Sequence, residues 1–387
     1  MSKIVIIGGG TSGMMAAISA KKHYKNDEVI LIEGNNELGR KLKLTGGGRC
    51  NVTANVSREE VLLNVPKNHK FLYSTIENFG PLEIMEFFNS RGTTLKEEDH
   101  SRMIPVSNKS FDIVRTLEEE LKKIGVKIMF NTRVKEVKDN YLIINDDINF
   151  KYDYLIIATG GIILPNTGSD GSGYNFAKDF GHTITELLPA EVPLVSNDSF
   201  IMDKTLQGLS FKDVVLKIVN AKGKVIKEIK HDLLFTHFGI SGPAALRASY
   251  EVSKILEKEK EAKILIDFIP SVNIKDIVED DYKHLPERLI KYLETLKNNE
   301  FDLKYYLKNF SILIYTTRGF NSAFVTNGGI KLNEINPKTL KSKLNDKISF
   351  CGEILDYNAY TGGFNITLAF STGYTAGKFV KGDPYDT

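Results

Sequence analysis

Lys3-Ile4-Val5-Ile6-Ile7-Gly8-Gly9-Gly10-Thr11-Ser12-Gly13 decides the fold, and Glu28-Val29-Ile30-Leu31-Ile32-Glu33 completes its signature. Residues 3–7 are a continuous, β-branched apolar run, the pattern of a parallel strand buried on both faces. Glycines at 8, 10 and 13 have the spacing of a dinucleotide-binding βα turn. The first makes the turn, the second lets the backbone approach a pyrophosphate, and the third lets helix pack on strand. Met14 to Ala20 has helix-forming composition, so the helix start offers N–H groups and a positive dipole end to phosphate. Glu33 follows about twenty residues later at a strand end, where an acid accepts from a ribose hydroxyl. A lone GxGxxG is weak evidence; strand, loop, helix, strand and acid in order are not. The acid favours an unphosphorylated ribose, hence FAD or NAD.

Two further glycine clusters separate these. Leu38-Gly39-Arg40-Lys41-Leu42-Lys43-Leu44-Thr45-Gly46-Gly47-Gly48-Arg49-Cys50-Asn51 combines exposed backbone amides with positive charge, which suits a diphosphate. Near the other end stand Cys351-Gly352-Glu353-Ile354-Leu355-Asp356 and Thr361-Gly362-Gly363-Phe364-Asn365-Ile366. Glu353 or Asp356 is placed to hold ribityl hydroxyls. Amides of Gly363 to Asn365 at a helix start suit the flavin N1/O2 edge, where negative charge develops on reduction. Between the clusters lies an ATG-type turn, Ala158-Thr159-Gly160-Gly161. A cofactor gripped at both chain ends is more like an extended FAD than NAD.

The rest of the chain sets the frame. Its 387 residues exceed one ordinary core. Lys+Arg at 51 against Asp+Glu at 49 leaves a net charge of +2, which counts against a nucleic-acid protein. No apolar stretch is long enough for a signal-peptide core or a membrane span, so a cytoplasmic protein is expected. Two cysteines without a CxxC pair fit a reducing compartment and argue against a zinc site. No His/Asp/Glu spacing reads as a metal site, and none is expected. Residues 71–91 read as helix broken at Gly80-Pro81, and Ser107 or Asn108 as the cap of a helix through Ile124. Short strands follow at 126–130, 133–138 and 141–144, an antiparallel excursion, and then at 154–158. Residues 211–219 and 224–230 read as a hairpin around Ala221-Lys222-Gly223, Gly242-Pro243 opens a helix to about Leu256, and 263–267 is a strand.

The motifs 39–53, Phe235-Thr236-His237-Phe238-Gly239-Ile240-Ser241-Gly242-Pro243 and Val325-Thr326-Asn327-Gly328-Gly329 resemble one bacterial family. Asn336 to Lys343 and the GEILD…TGGFN run at 352–366 continue the resemblance in family order. The family is the BaiN-like or aminoacetone-oxidase-like FAD-dependent oxidoreductases. The resemblance implies an α/β class: a Rossmann-like, glutathione-reductase-type FAD-binding domain with an inserted β-barrel and a small helical subdomain. The expected parse is 1–190 with 342–387 for FAD, 191–272 with 320–341 for the barrel, and 273–319 for the helices. Asn358-Ala359 replaces the usual Asp-Gly, Ala54 intrudes before Asn55, and the connection into Cys351 lacks the usual Pro-Gly. These departures touch loop geometry more than ligand identity.

The expected FAD-binding set is therefore Gly8, Gly10, Thr11, Ser12, Gly13, Glu33, Gly39, Arg40, Lys41, Thr45, Gly46, Gly47, Arg49, Cys50 and Asn51. Val134, Ala158, Thr159, Gly160, Gly161, Gly352, Glu353, Asp356, Gly362, Gly363, Phe364, Asn365 and Ile366 complete it. A redox pair of Cys50 and Cys351 is conceivable, but two ordinary buried thiols are the plainer reading. His237, in a glycine-rich loop between Phe235 and Phe238, is weighed equally as a general acid/base and as a residue that fixes its loop. One dinucleotide fingerprint leaves the flavin to be reduced by substrate or by a visiting NAD(P)H. The expected activity is hydride transfer at flavin N5 on a small organic molecule, either amine oxidation or enone reduction. An RNA-modifying flavoenzyme and a non-catalytic redox sensor are the alternatives; near-neutral charge and the lack of a basic-aromatic C-terminal extension count against the first.

Overall fold

The computed structural model describes residues 1–145 and 147–382. They form two compact units. The first joins Met1–Leu188 to the chain from Val325 onward, and the second is Pro189–Phe324.

The first unit is built on a five-stranded parallel sheet. Its order is Ile348–Phe350, Tyr154–Ile157, Lys3–Ile7, Glu28–Ile32, Lys127–Met129. Ile7 stands level with Ile32 on one side and Ile157 on the other, so the carboxyl ends of the central strands share one edge. Ile4, Val5 and Ile6 are wholly buried, as their unbroken apolar run requires. Each such side chain contributes about 1.5–3 kcal/mol of burial. The order reverses between strands 3–7 and 154–157, and a crevice at that switch point is where open α/β sheets bind ligands.

Helices Thr11–His23 and Phe364–Lys378 pack tightly against each other. A Cβ on Gly373 would stand 2.2 Å from Ser12 O, so only glycine permits this approach. Ser19 Oγ donates to Tyr374 O at 2.7 Å, which fixes the register.

Some expectations shift. Helices Tyr73–Asn78 and Pro81–Asn89 break where Gly80-Pro81 foretold, while the next helix starts later, at Ser110. Residues 127–129 are not part of the antiparallel excursion; they form the edge of the parallel sheet, with Leu31 opposite Ile128. The excursion is the meander Val134–Val137, Tyr141–Ile144, Ile148–Lys151. Residues 325–341 were expected in the barrel, but they pack within the first unit. Ile330 N donates to Ile354 O at 2.9 Å, and Thr185 N to Gly329 O at 2.9 Å.

The second unit is a seven-stranded antiparallel sheet. Its order is Phe310–Ile314, Ala262–Asp267, Ser210–Val219, Val225–Phe235, Gly239–Ser241, Leu194–Val195, Thr316–Thr317. The first and last strands are neighbours on one segment. Residues 310–314 pair with 262–266, and 316–317 pair with 194–195. The sheet thereby curls into a barrel, which removes its open edges. Residues 310–317 were expected among the helices, but their alternating burial makes them barrel strands. The helical stretch Glu279–Tyr282, Glu287–Leu296 and Leu303–Asn309 shares the barrel's core through Leu289, Leu293 and Leu307. Lys308 Nζ sits 2.8 Å from Asp267 Oδ2 and also donates to Ile269 O and Val272 O, anchoring the last helix to its strand.

Candidate functional site

The glycine turn leaves the central strand at the shared carboxyl edge. A Cβ on Gly13 would fall 1.8 Å from Gly8 O, so the turn closes only with glycine there. Gly10 is the opposite case. Nothing lies within 4 Å of the Cβ position, and its φ of −78° suits any residue, so glycine there keeps space open beside the helix start. Thr11 and Ser12 open that helix. Glu33 is buried; its Oε2 accepts from Gly9 N and its Oε1 from Asn35 N, each at 2.8 Å. Asn35 Nδ2 also donates to Oε1 at 2.7 Å, so the carboxylate is fixed at the strand end with its remaining acceptor capacity on Oε2.

The 39–51 segment folds as the helix Arg40–Leu44 followed by the turn Thr45–Gly48. Its expected phosphate-binding cations are all engaged by acids. Arg40 and Lys43 meet Glu37 at 3.1 and 2.5 Å, Lys41 meets Glu353 at 2.6 Å, and Arg49 meets Glu98 at 2.9 Å. Each of these cations thus has an acidic partner within the protein. Cys50 ends the segment, buried with φ 63°. Burial pushes its thiol up to about 12, and Cys351, hydrogen-bonded toward Ser12, is pushed up to about 12 as well. Both cysteines are free thiols.

Glu353 ties three segments together. Its Oε2 takes Lys41, and its Oε1 accepts from Thr326 N at 2.8 Å. Thr326 Oγ1 in turn accepts from Ile162 N at 3.0 Å, beside Gly160 and Gly161. Asp356, also buried, is clamped by Lys67 Nζ at 2.9 and 3.0 Å, while Asn68 Nδ2 donates to its carbonyl. The last helix begins after Gly363, whose φ of 98° no other residue adopts readily. The Asn365 side chain turns back on its own loop. It grips Ala359, accepting from its N–H at 2.8 Å and donating to its carbonyl at 2.5 Å, and so sets the loop in front of the helix. The first-turn amides, those of Asn365 and Ile366 included, have no intrahelical acceptor. A Cβ on Gly363 would meet Thr53 C and O at 2.9 Å and Asn51 O at 3.3 Å, so the 45–51 turn and the Gly362-Gly363-Phe364 start touch.

Thr159 lies against the same edge: a Cβ on Gly8 would meet Ala158 O at 2.5 Å. Four polar atoms in these motifs are buried without a hydrogen-bond partner: Asn51 Oδ1, Thr159 Oγ1, Asn327 Oδ1 and Asn358 Oδ1. Such a group costs about 1–3 kcal/mol unless something meets it. Orphaned donors and acceptors, an open Gly10 and two helix starts fit the long polar middle of a dinucleotide such as FAD.

Val134 begins the antiparallel meander as a buried core residue. His237 belongs to the second unit, exposed in the turn Thr236–Phe238, with its ring edge-on to Phe238 at 5.0 Å. The turn is fixed without it: Thr236 N donates to Gly239 O at 2.8 Å. Sequence reasoning missed Lys67, Asn68 and Thr326. Lys67 and Asn68 lie outside every glycine motif, and only their distance-spanning pairing reveals them. Thr326 stood in a quoted motif without a role.

A parallel-sheet dinucleotide unit with its glycine turn at the switch point, interrupted by a small barrel, is the architecture of an FAD-dependent oxidoreductase. The chain belongs to the HI0933-like protein family, whose Rossmann-domain description matches residues 2–379. It is 31% identical to a 3-dehydro-bile acid delta(4,6)-reductase of Clostridium scindens, over 98% of each chain. It is 27% identical to a ribosomal RNA dihydrouridine synthase of Haemophilus influenzae, over 96% of this chain and 97% of that one. In fold it resembles a solved 3-ketosteroid-delta4-(5alpha)-dehydrogenase of Rhodococcus jostii, with TM-score 0.54, 13% identity and 97% of each chain covered. No helix among the described residues is long and apolar enough to cross a membrane.

Proposed function

We propose that the protein reduces a carbon–carbon double bond conjugated to a carbonyl in a small organic molecule, with NAD(P)H as a transient electron source. The observation that carries this reading is the full-length likeness to the bile acid reductase. It favours enone reduction over amine oxidation.

When bound, FAD supplies hydride transfer at N5. The chain's own residues bind and orient it. Amides of the 8–13 turn hold the diphosphate and Glu33 the adenosine ribose. Glu353 and Asp356, pinned by Lys41 and Lys67, present fixed carboxylates to ribityl hydroxyls. First-turn amides at Gly363 to Ile366 would offer N–H donors and a positive helix end to the flavin's pyrimidine edge. His237 is the candidate to pass a proton to the substrate. Hydride and proton together saturate the double bond while NAD(P)H becomes NAD(P)+.

Anaerobic mixing of the flavin-loaded protein with NADH and NADPH tests this. Rapid bleaching of the flavin band, then its return on adding a 4-ene-3-keto steroid, is the expected result. Bleaching by amines and by neither nicotinamide would sink the reading. A second reading rests on the 27% relatives, since uracil C5=C6 is also conjugated to a carbonyl. Dihydrouridine appearing in ribosomal RNA on incubation, with no turnover of the steroid, would move the assignment there.

A further inference from the structure

We infer that Tyr174 is a cofactor-positioning residue whose phenol O–H donates a hydrogen bond to the ribityl chain of bound FAD. The inference rests on the FAD reading above and adds a residue outside every glycine motif.

Tyr174 lies in helix Ser172–Asp179 of the first unit, and only 4% of its surface is exposed. Its hydroxyl is fully enclosed and has no hydrogen-bond partner. A buried tyrosine hydroxyl is ordinarily satisfied, because leaving it unpaired forfeits its solvation for nothing. The helix places it deliberately. It begins at Ser172-Gly173, where a Cβ on Gly173 would fall 1.9 Å from Thr159 Oγ1 and 2.8 Å from Ile354 Cδ1. The absent side chain lets the helix start press against the Ala158-Thr159 turn and the Glu353–Asp356 segment. Thr159 Oγ1, at that contact, is the second enclosed polar atom without a partner.

The charges around the phenol define its role. Burial and then the carboxylates of Glu353 and Asp356 push it well above its usual range, so it remains a donor. Neither carboxylate accepts its proton. Glu353 is taken by Lys41 and Thr326 N, and Asp356 by Lys67. An enclosed donor bonded to neither carboxylate, on a helix whose start abuts the orphaned Thr159 hydroxyl, suits a group that both donates and accepts. A polyol chain has that chemistry. An apolar ligand would leave the phenol and Thr159 Oγ1 unpaired.

The test is Tyr174→Phe, which keeps the ring and removes only the hydroxyl. In the cofactor-free protein the thermal midpoint should hold or rise, because an enclosed orphan is removed. FAD, titrated by quenching of its fluorescence, should bind about tenfold more weakly. ADP, which shares the adenosine and diphosphate but lacks the ribityl chain, should compete with unchanged affinity. Unchanged FAD affinity overturns the inference, as does an equal weakening for FAD and ADP or a lowered midpoint without cofactor. Wild-type protein that takes up no FAD would instead overturn the reading beneath it.

Discussion

Lys41 Nζ and Glu353 Oε2 stand 2.6 Å apart although 312 positions separate them in the chain. The pair joins the GRK helix of the first glycine segment to the GE turn of the second, and Thr326 N closes it from a third. Both side chains are mostly covered, so the pair is worth more than a solvated one.

Lys41→Met should therefore loosen the turn as well as the charge. A loss of about 1 kcal/mol is expected, seen as a thermal midpoint lower by about 2–4 °C. FAD should bind several-fold more weakly in the same fluorescence titration. A variant with wild-type midpoint and affinity would show that Glu353 holds its place without the lysine.

The two glycines of the first turn separate folding from binding. Gly10→Ala meets nothing and strains nothing, so cofactor-free stability should be unchanged while FAD uptake is lost by at least about tenfold. Gly13→Ala forces Gly8 O aside and should lower both. If Gly10→Ala bound FAD normally, the open space at residue 10 would not be the diphosphate path.

Neither cysteine should behave as a redox group. With both thiols pushed up to about 12 by burial, iodoacetamide at pH 8 should label neither in the folded protein. Denaturation should release two reactive thiols without a reductant. Fast native labelling, or fewer than two thiols after denaturation, contradicts this.

Acid should weaken the fold through His182. The ring is buried, with Nε2 2.8 Å from Ser342 Oγ and Nδ1 3.3 Å from Glu334 Oε2. Burial lowers its pKa from the ordinary 6.5, against the pull of Glu334. The unfolded chain then binds the proton first, so this stability is complete above pH 6.5 and is lost as pH falls below it. Glu334, whose burial is outweighed by hydrogen bonds from Thr183 and His182, sits below its usual 4.5 and is lost further down. Urea midpoints should hold from pH 8 to 7 and decline from about pH 6.5, and His182→Gln should flatten the upper part of that decline. An unchanged decline in the variant would assign it elsewhere.

The dinucleotide half of the fold was legible because local signals agreed: Ile4 to Ile7 could only be a buried strand, and Gly8, Gly10 and Gly13 mark its turn. The helix at 364–378 and the hairpin at 210–235 were legible for the same reason. What escaped was long-range. Lys127 to Met129 looks like any short strand, and only its pairing with Ile30 to Ile32 makes it parallel. Phe310 to Ile314 followed a charged helical texture, which hid its alternation. The site shows the same divide. The sequence exposes Arg40, Lys41 and Arg49 as cations, but not that Glu37, Glu353 and Glu98 would claim them.

The close packing of helices 11–23 and 364–378 has a consequence for synthesis. Ser19 and the Tyr374 carbonyl it bonds are 355 positions apart, so the ribosome releases the first helix long before its partner exists. Through that interval Ser12, Ala16 and Ser19, which Gly373 and Gly377 approach closely in the folded protein, wait for their native partner. At a typical 5–20 residues per second the wait lasts roughly 20–70 seconds. The glycine turn is thus made early in translation, and the helix that packs on it comes last.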